Sequence, residues 1–509
     1  MSPCATPSLR RLARFLPMAA LFLGLQLGCG GGEKELIILH TNDIHAWFAP
    51  FDGELADGRE ARFGGAPVLA ALVRGFREEH PGGVLYMDAG DVFLGTPIST
   101  LTEGKACVEV MNLLAPDAFE LGNHEYDYGL EAQRRAFQNA TFPILQGNVR
   151  MAGHAQPFYP SDLLINKNGL QVAVLGVNTD ALFAMSGPWV AQELKLDSSR
   201  VVAKRWLQRV AEADLKILLS HNGFEADSLL ALALPEIDLI VGGHSHTVLE
   251  EPVQVGETWI VQAGDRGRFL GACTIRVKPG KGITRCEGEL IPVLEGAAEP
   301  AADVAAVVEA HEAQVNAKLG ATVATLAGDW TPNSRGESAQ GNWLCAALRQ
   351  ATGARIGLWN SGGIRKGAKA GPLTERDFWE ISPFGNEIVV GEVLGGRLLE
   401  LFNDEVRRGG LHLHFDGLRV GADEQGGVGS MLVGGEPLNT GKTYSAAMSD
   451  FVWNQIRRPG DPEPRRTGLV DRDVLIAQAR AEGQIQLVVD GRWGPGRTVV
   501  RDPEPEMAP

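Results

Sequence analysis

Cysteine is scarce in this chain: six residues in 509, with only Cys107, Cys273, Cys286 and Cys345 beyond residue 29. No two of these have zinc-site spacing, which excludes a cysteine-built metal module. Basic residues are also in deficit. Lys and Arg number 47 against 63 Asp and Glu, leaving a formal net charge of −16. Such a field repels phosphodiester backbones and excludes a nucleic-acid polymer as a general partner. An anionic substrate then needs local cations or bound metal to capture it. Internal repeats are absent. What is present, 44% hydrophobic and 22% charged residues, is an ordinary globular composition, and the length favours two or more domains.

The amino terminus reads as an export signal. Arg10, Arg11 and Arg14 precede an apolar stretch at 15–27, "FLPMAALFLGLQL", which is too short for a comfortable membrane span. "LGCGGG" then places Cys29 after Leu27 and Gly28, which resembles a bacterial lipoprotein cleavage site with Cys29 as the lipidated first residue. A plain secretory signal is the other reading. Residues 1–28 are thus expected to be a signal peptide and 29–34 a flexible tether. The protein is expected in the bacterial cell envelope, periplasmic or anchored to the outer membrane, touching membrane only through a lipid on Cys29. Cys273 and Cys286 flank the hairpin signal "VKPGKG". In an oxidising compartment they either form a disulfide or remain two buried thiols.

From residue 35 to about 300, short apolar runs recur, each ending in polar residues: "ELIILH" (35–40), "GVLYMDAGD" (83–91), "AFELGNHE" (118–125), "FPILQGN" (142–148), "QVAVLGVNTD" (171–180), "LKILLSHNG" (215–223), "IDLIVGGHSH" (237–246) and "TWIVQAGD" (258–265). Near-continuous Val, Ile and Leu over this length suit strands buried on both faces. Helical stretches lie between several of them, as at 66–80 and 199–213. The pattern predicts an α/β sandwich over 35–300 with function at the strand ends. Residues 301–319, Ala-rich and free of Gly and Pro, read as one exposed helix linking two domains. A second, smaller α/β domain is expected over 320–501, and a disordered tail over 502–509.

The chemistry gathers just past the apolar runs. Asp43 and His45 follow the first, Asp91 the second, and Asn123 and His124 the third; His221 and then His244 and His246 come later. Alone, each reads as a turn former or a satisfied polar residue. Five of the eleven histidines at such positions make a joint pattern. Carboxylate, imidazole and amide together suit Zn²⁺, Mn²⁺, Fe or Co better than Ca²⁺. So many donors exceed one tetrahedral site but suit two divalent ions sharing a carboxylate.

The motifs "DIH", "GDVFLGT", "GNHEYD", "SHNG" and "GGHSH", in this order, resemble the calcineurin-like metallophosphatases. More closely they resemble the bacterial 5′-nucleotidase / UDP-sugar hydrolase family, over residues 35 to about 495. The resemblance implies a four-layer α/β/β/α sandwich. It implies Asp43, His45 and His246 on one ion, Asn123, His221 and His244 on the other, and Asp91 between them. It also implies phosphoester hydrolysis by a hydroxide held between the ions. His124 then faces the phosphate, and Asp127, about one helical turn on, hydrogen-bonds its far ring nitrogen. Glu125 reads as structural, holding a helix start against the macrodipole.

In the second domain, "WNSGGIRKG" (359–367) offers Asn360 and Arg365 as amide and cation, with Gly363 allowing close backbone approach. "ISPFGNEIVV" presents Phe384 at a polar turn beside Asn386, suited to stacking on a base. The same resemblance makes these the substrate-holding residues. Arg335 stands one place past Ser334, where a further substrate arginine is expected. Phe451, or Trp453 in its stead, is expected as a second aromatic clamp. The expected substrates are nucleoside 5′-monophosphates, with UDP-sugars and 2′,3′-cyclic nucleotides next. A thiosulfohydrolase on the same scaffold and a non-catalytic surface nucleotide-binding protein are the alternatives.

Overall fold

The computed structural model describes residues 32–495 apart from residues 187, 334 and 424–426. The expected signal peptide, Cys29, Ser334 and the tail lie outside the described residues.

All eight apolar runs contain strands, and they divide between two six-stranded sheets. The first runs, edge to edge, Gly282–Pro292, Phe269–Lys278, Lys34–Thr41, Val84–Asp88, Ala118–Glu120, Ile144–Leu145. The second runs Val253–Val255, Thr258–Val261, Leu239–Gly242, Leu215–His221, Leu170–Asn178, Asp162–Lys167. The two-residue period of a strand decides the layering. Leu36 and Ile38 pack between the sheets with Val172, Val174, Ile217 and Leu219. Their neighbours Ile37 and Leu39 join the core beneath the helices Gly65–Glu79 and Lys105–Leu114. On the far side Ala173, Leu175, Leu218 and Ile240 pack with Trp206 and Leu230 of the helices Ser199–Arg209 and Phe224–Ala233. Both strand faces being apolar is what made these runs continuous in sequence, and the result is a four-layer α/β/β/α sandwich.

The parallel pairing positions the site. Lys34–Thr41 runs beside Val84–Asp88 until Thr41 lies opposite Asp88, and Leu215–His221 runs beside Leu239–Gly242 until Ser220 lies opposite Gly242. Their carboxyl ends release the polar loops together, as open α/β sheets do.

The helix Ala302–Leu319 does not stand free in solvent. Val304, Val308, Val315 and Leu319 are buried against the first half of the chain, and Asp303 pairs with Arg74 at 2.8 Å. Arg376 of the second half ion-pairs with Glu312. Two apolar pairs at i,i+4 spacing bury this face; the abundance of Ala around them hid the stripe.

The second half centres on a five-stranded sheet in the order Leu413–Asp416, Ile356–Asn360, Thr443–Ser449, Glu387–Leu394, Arg465–Val470. The helix Ala339–Thr352 covers one face through Leu344 and Leu348, and Gly395–Arg408 covers the other through Leu398 and Phe402. Asn360 ends the strand Ile356–Asn360, and Phe384 occupies the turn between the helix Glu375–Ile381 and the strand Glu387–Leu394. Among the described residues no helix is long and apolar enough to cross a membrane.

Candidate metal and substrate site

Five of the seven expected metal-binding residues hold backbone in the left-handed region: Asp43 at φ 51°, His45 at 50°, Asp91 at 56°, His244 at 73° and His246 at 54°. Non-glycine residues reach this region at a steric cost of about 1–3 kcal/mol each, and such strain concentrates at functional sites. Here it turns the side chains inward at the strand ends. Two glycines leave the necessary room. A Cβ on Gly122 would sit 2.1 Å from Asp91 Oδ1, and one on Gly243 would sit 2.9 Å from His221 Nδ1.

The side chains converge. His246 Nε2 lies 3.3 Å from Asp43 Oδ1 and 3.2 Å from His45 Nε2. His221 Nε2 lies 3.1 Å from Asp91 Oδ2 and 4.0 Å from Asp43 Oδ1. Donor atoms of Asp43, His45 and His246 fall within 4.8 Å of one another, as do those of Asp91, His221 and His244. His221 Nδ1 lies 2.6 Å from the carbonyl of Ala89, and His45 Nδ1 lies 3.2 Å from that of Phe93. A proton held on each Nδ1 leaves Nε2 with its lone pair facing the cluster, the usual preparation of a metal-binding imidazole.

Three buried atoms face into this cluster: Asn123 Oδ1 has no hydrogen-bond partner among the described residues, while Asp43 Oδ1 and His221 Nε2 face other members of the cluster, His246 and Asp91. An orphaned buried polar atom is costly, and divalent cations satisfy all three. The N/O donor set fits such ions. Protonation agrees in part. Burial and then Arg365 hold His45 well below its usual range, in its neutral form. Burial also opposes charge on His221, but Asp91 outweighs it and raises the imidazole to about 10, so binding a cation there releases a proton.

His124 differs from the other histidines. Its Nδ1 is 2.6 Å from Asp127 Oδ2, and its Nε2 is 3.9 Å from Asp91 Oδ2. Burial disfavours its charge, yet Asp127 and Asp91 together raise it to about 9. The two carboxylates thus favour its charged form, with one ring nitrogen occupied by Asp127.

Glu125 corrects the sequence reading. Its carboxylate is fully buried and accepts the backbone N–H groups of Asp91, Val92, Phe93 and Gly122 at 2.6–2.9 Å. It clamps the Asp91 loop rather than answering a helix dipole. Asn42 passed unnoticed in the sequence. Its amide donates to Asp43 Oδ2 and the carbonyl of Gly264, while its oxygen accepts from Ala263 N–H. Glu125 stands inside "GNHEYD" and Asn42 directly before "DIH", so position was their only signal.

Between the halves lies a cavity of about 840 Å³. Asp91, Asn123, His124, Asp127, His244 and His246 line it from the first half, and Asn360, Gly363, Arg365, Phe384, Asn386 and Phe451 from the second. The rings of His124 and Phe384 are 5.9 Å apart, and Arg365 Nη2 lies 3.3 Å from His45 Nε2.

Residues 36–248 match the calcineurin-like phosphoesterase family, and residues 319–456 match the 5′-nucleotidase C-terminal domain. The chain belongs to this two-part 5′-nucleotidase family. It is 27% identical to Protein UshA of Yersinia enterocolitica, over 87% of this chain and 90% of that protein. It is 26% identical to a 5′-nucleotidase of Vibrio cholerae, over 92% and 93% respectively. A 5′-nucleotidase precursor from Thermus thermophilus superposes with a TM-score of 0.81 at 25% identity, covering 91% of this chain and 99% of that one. As a member of that family, the chain is a metal-dependent phosphoric ester hydrolase.

Two expectations in the substrate half need correction. Arg335 is exposed, outside the cavity lining; its N–H donates to Asn333 Oδ1 at 2.9 Å in the loop before the helix Ala339–Thr352. Trp453 is 3% exposed in the core, against Gly391, and cannot reach a ligand. Both lie on the helix Asp450–Ile456, where two-residue spacing puts Phe451 on the cavity side and Trp453 on the opposite, buried side.

Proposed function

We propose that this is an exported phosphohydrolase that removes phosphate from nucleoside 5′-monophosphates with the help of two divalent cations. Asp43, His45 and His246 would hold one, Asn123, His221 and His244 the other, with Asp91 shared. A bound pair of this kind supplies an activated water nucleophile and positive charge for phosphoryl oxygens. The chain's own residues do the rest. His124 offers Nε2–H to a phosphoryl or leaving-group oxygen while Asp127 holds its tautomer. Asn360 and Arg365 hold the substrate, and Phe384 and Phe451 enclose the base with Asn386 at its edge. Residues 35–300 would then be the catalytic domain and 320–501 the substrate domain, joined by the 301–319 helix. A signal at 1–28 and a lipid on Cys29 would keep the protein in the cell envelope.

The observation that carries this reading is one cavity with a charged histidine and acid cluster on one wall and aromatic rings on the other. A thiosulfohydrolase of this scaffold has no need of Phe384 and Phe451, and a protein that only binds nucleotides has no need of the His124–Asp127 pair. UDP-sugars and 2′,3′-cyclic nucleotides fit the same wall chemistry as further substrates. Residues 30–509, supplied with Mn²⁺, Co²⁺ or Zn²⁺, are expected to release phosphate from AMP and to stop in chelator. Phe384→Ala is expected to raise KM for AMP about tenfold, in line with about 1–3 kcal/mol for base stacking, and to leave p-nitrophenyl phosphate nearly unaffected. Intact AMP, UDP-glucose, cyclic nucleotide and p-nitrophenyl phosphate in a single panel would sink the hydrolase reading. Equal losses for AMP and p-nitrophenyl phosphate would sink the base-stacking role.

A further inference from the structure

Arg266 belongs to no motif. It lies on the catalytic half, in the turn after the strand Thr258–Val261, and its backbone is at φ 58°, the strained region shared with five of the expected metal-binding residues. Its N–H donates to the carbonyl of Asp43 at 2.7 Å, which ties the turn to the cation cluster. Its guanidinium reaches the other way. Nη2 donates to the carbonyl oxygen of Arg365 at 2.5 Å, across the seam between the halves. The same guanidinium lies 4.8 Å from the centre of the Trp47 ring, and its Nε is 3.4 Å from Asp265 Oδ2. Lys366, beside Arg365, sets its Nζ 5.9 Å from the same indole. Trp47 thus receives one cation from each half.

Burial opposes charge on Arg266, Asp265 supports it, and the charges of Arg365 and Arg268 oppose it. Asp265 and the face of Trp47 offset the charge of Arg266, so its directional contact is the one to the Arg365 main chain. Arg365 in turn points its own Nη2 at His45 and lines the cavity.

We propose that Arg266 is the positioning residue for Arg365: it fastens the Gly363–Arg365 loop to the catalytic half and so aims the Arg365 guanidinium at a bound phosphoryl group beside His45 and His124. This rests on the reading of the cavity as a phosphoester site. Local strain held by packing and aimed at a second element is a recurrent way of pre-organising a charged group. It also explains why an arginine occupies a backbone position that glycine would fill without strain.

The test is a double-mutant cycle on the full mature chain loaded with Mn²⁺, read by calorimetric titration with inorganic phosphate and by kinetics on p-nitrophenyl phosphate. Arg266→Met is expected to weaken phosphate binding about tenfold and to raise KM more than it lowers kcat, with manganese content unchanged. In an Arg365→Met background the same substitution is expected to change phosphate affinity less than about twofold. Arg266→Lys, which keeps the charge and a donor, is expected to recover part of the loss. A full tenfold loss that persists without Arg365, no loss in either background, or a fall in manganese content would overturn the proposal. A wild type that binds phosphate yet turns over no phosphoester sinks the hydrolase reading alone, because the affinity cycle still reports on Arg266.

Discussion

His124 shows how closely a residue's role depends on what its two ring nitrogens touch. Asp127 takes Nδ1 at 2.6 Å, and the charge of Asp127 and Asp91 overcomes burial to raise the ring to about 9. The cation is therefore present below that value and is lost as pH rises through it. The alkaline limb of kcat/KM is expected to fall near pH 9, shifted downward by bound cations. His124→Ala is expected to lower kcat by about 10²–10⁴, the range for a positioned proton donor, and to flatten that limb while metal content stays constant. Loss of metal together with rate would show that the residue holds a cation instead. Glu125, next in sequence, does something unrelated: four backbone N–H groups converge on its carboxylate. Adjacent polar residues in one motif thus divide between chemistry and scaffolding, and only their contacts tell them apart.

Among the elements, the long hairpin Phe269–Lys278 and Gly282–Pro292 carries its own prediction. Cys273 pairs with Gly288 and Cys286 with Ile275, so the two cysteines lie diagonally, with both thiols buried and their sulfurs 2.9 Å apart. The hairpin signal between them was legible from "VKPGKG", but whether the thiols face each other depends on register, which a one-residue slip would reverse. Protein recovered from an oxidising compartment is expected to lack both free thiols in alkylation mass spectrometry and to regain them after reduction. Two alkylated cysteines without reductant would leave them as core thiols. The helix Ala302–Leu319 teaches the converse. Its existence followed from composition, whereas its burial rested on four apolar residues whose partners are far away in the chain.

At the level of the whole protein, the two halves build one cavity, and the first half gathers buried polar atoms of Asp43, Asn123 and His221 in an N/O set that suits divalent cations. Ions that bind the folded chain and not the unfolded one stabilise it by about 2.7 kcal/mol per site at a hundredfold excess over Kd. Chelation is therefore expected to lower Tm by about 5–10 °C for each site emptied, read by calorimetry with EDTA against Mn²⁺. An unchanged Tm would mean that Asp43, Asn123 and His221 bind no cation.

Much of this was written in local order. Strands buried on both faces leave continuous Val, Ile and Leu runs, and polar residues at their ends, from Asp43 to His246, stand out because buried strands have no other use for them. Spacing along the chain also joined His124 to Asp127. Contacts between distant segments were not written there. Arg335 and Trp453 had the right chemistry near the right place, but one faces solvent and the other fills the core. Glu125 and Asn42 stand in or beside motifs, but residue type does not mark what they hold, and Arg266 stands in none; their contacts include backbone groups of segments far away in sequence. Residue type and spacing state which chemistry is on offer; the three-dimensional meeting of main chain and side chain selects who performs it.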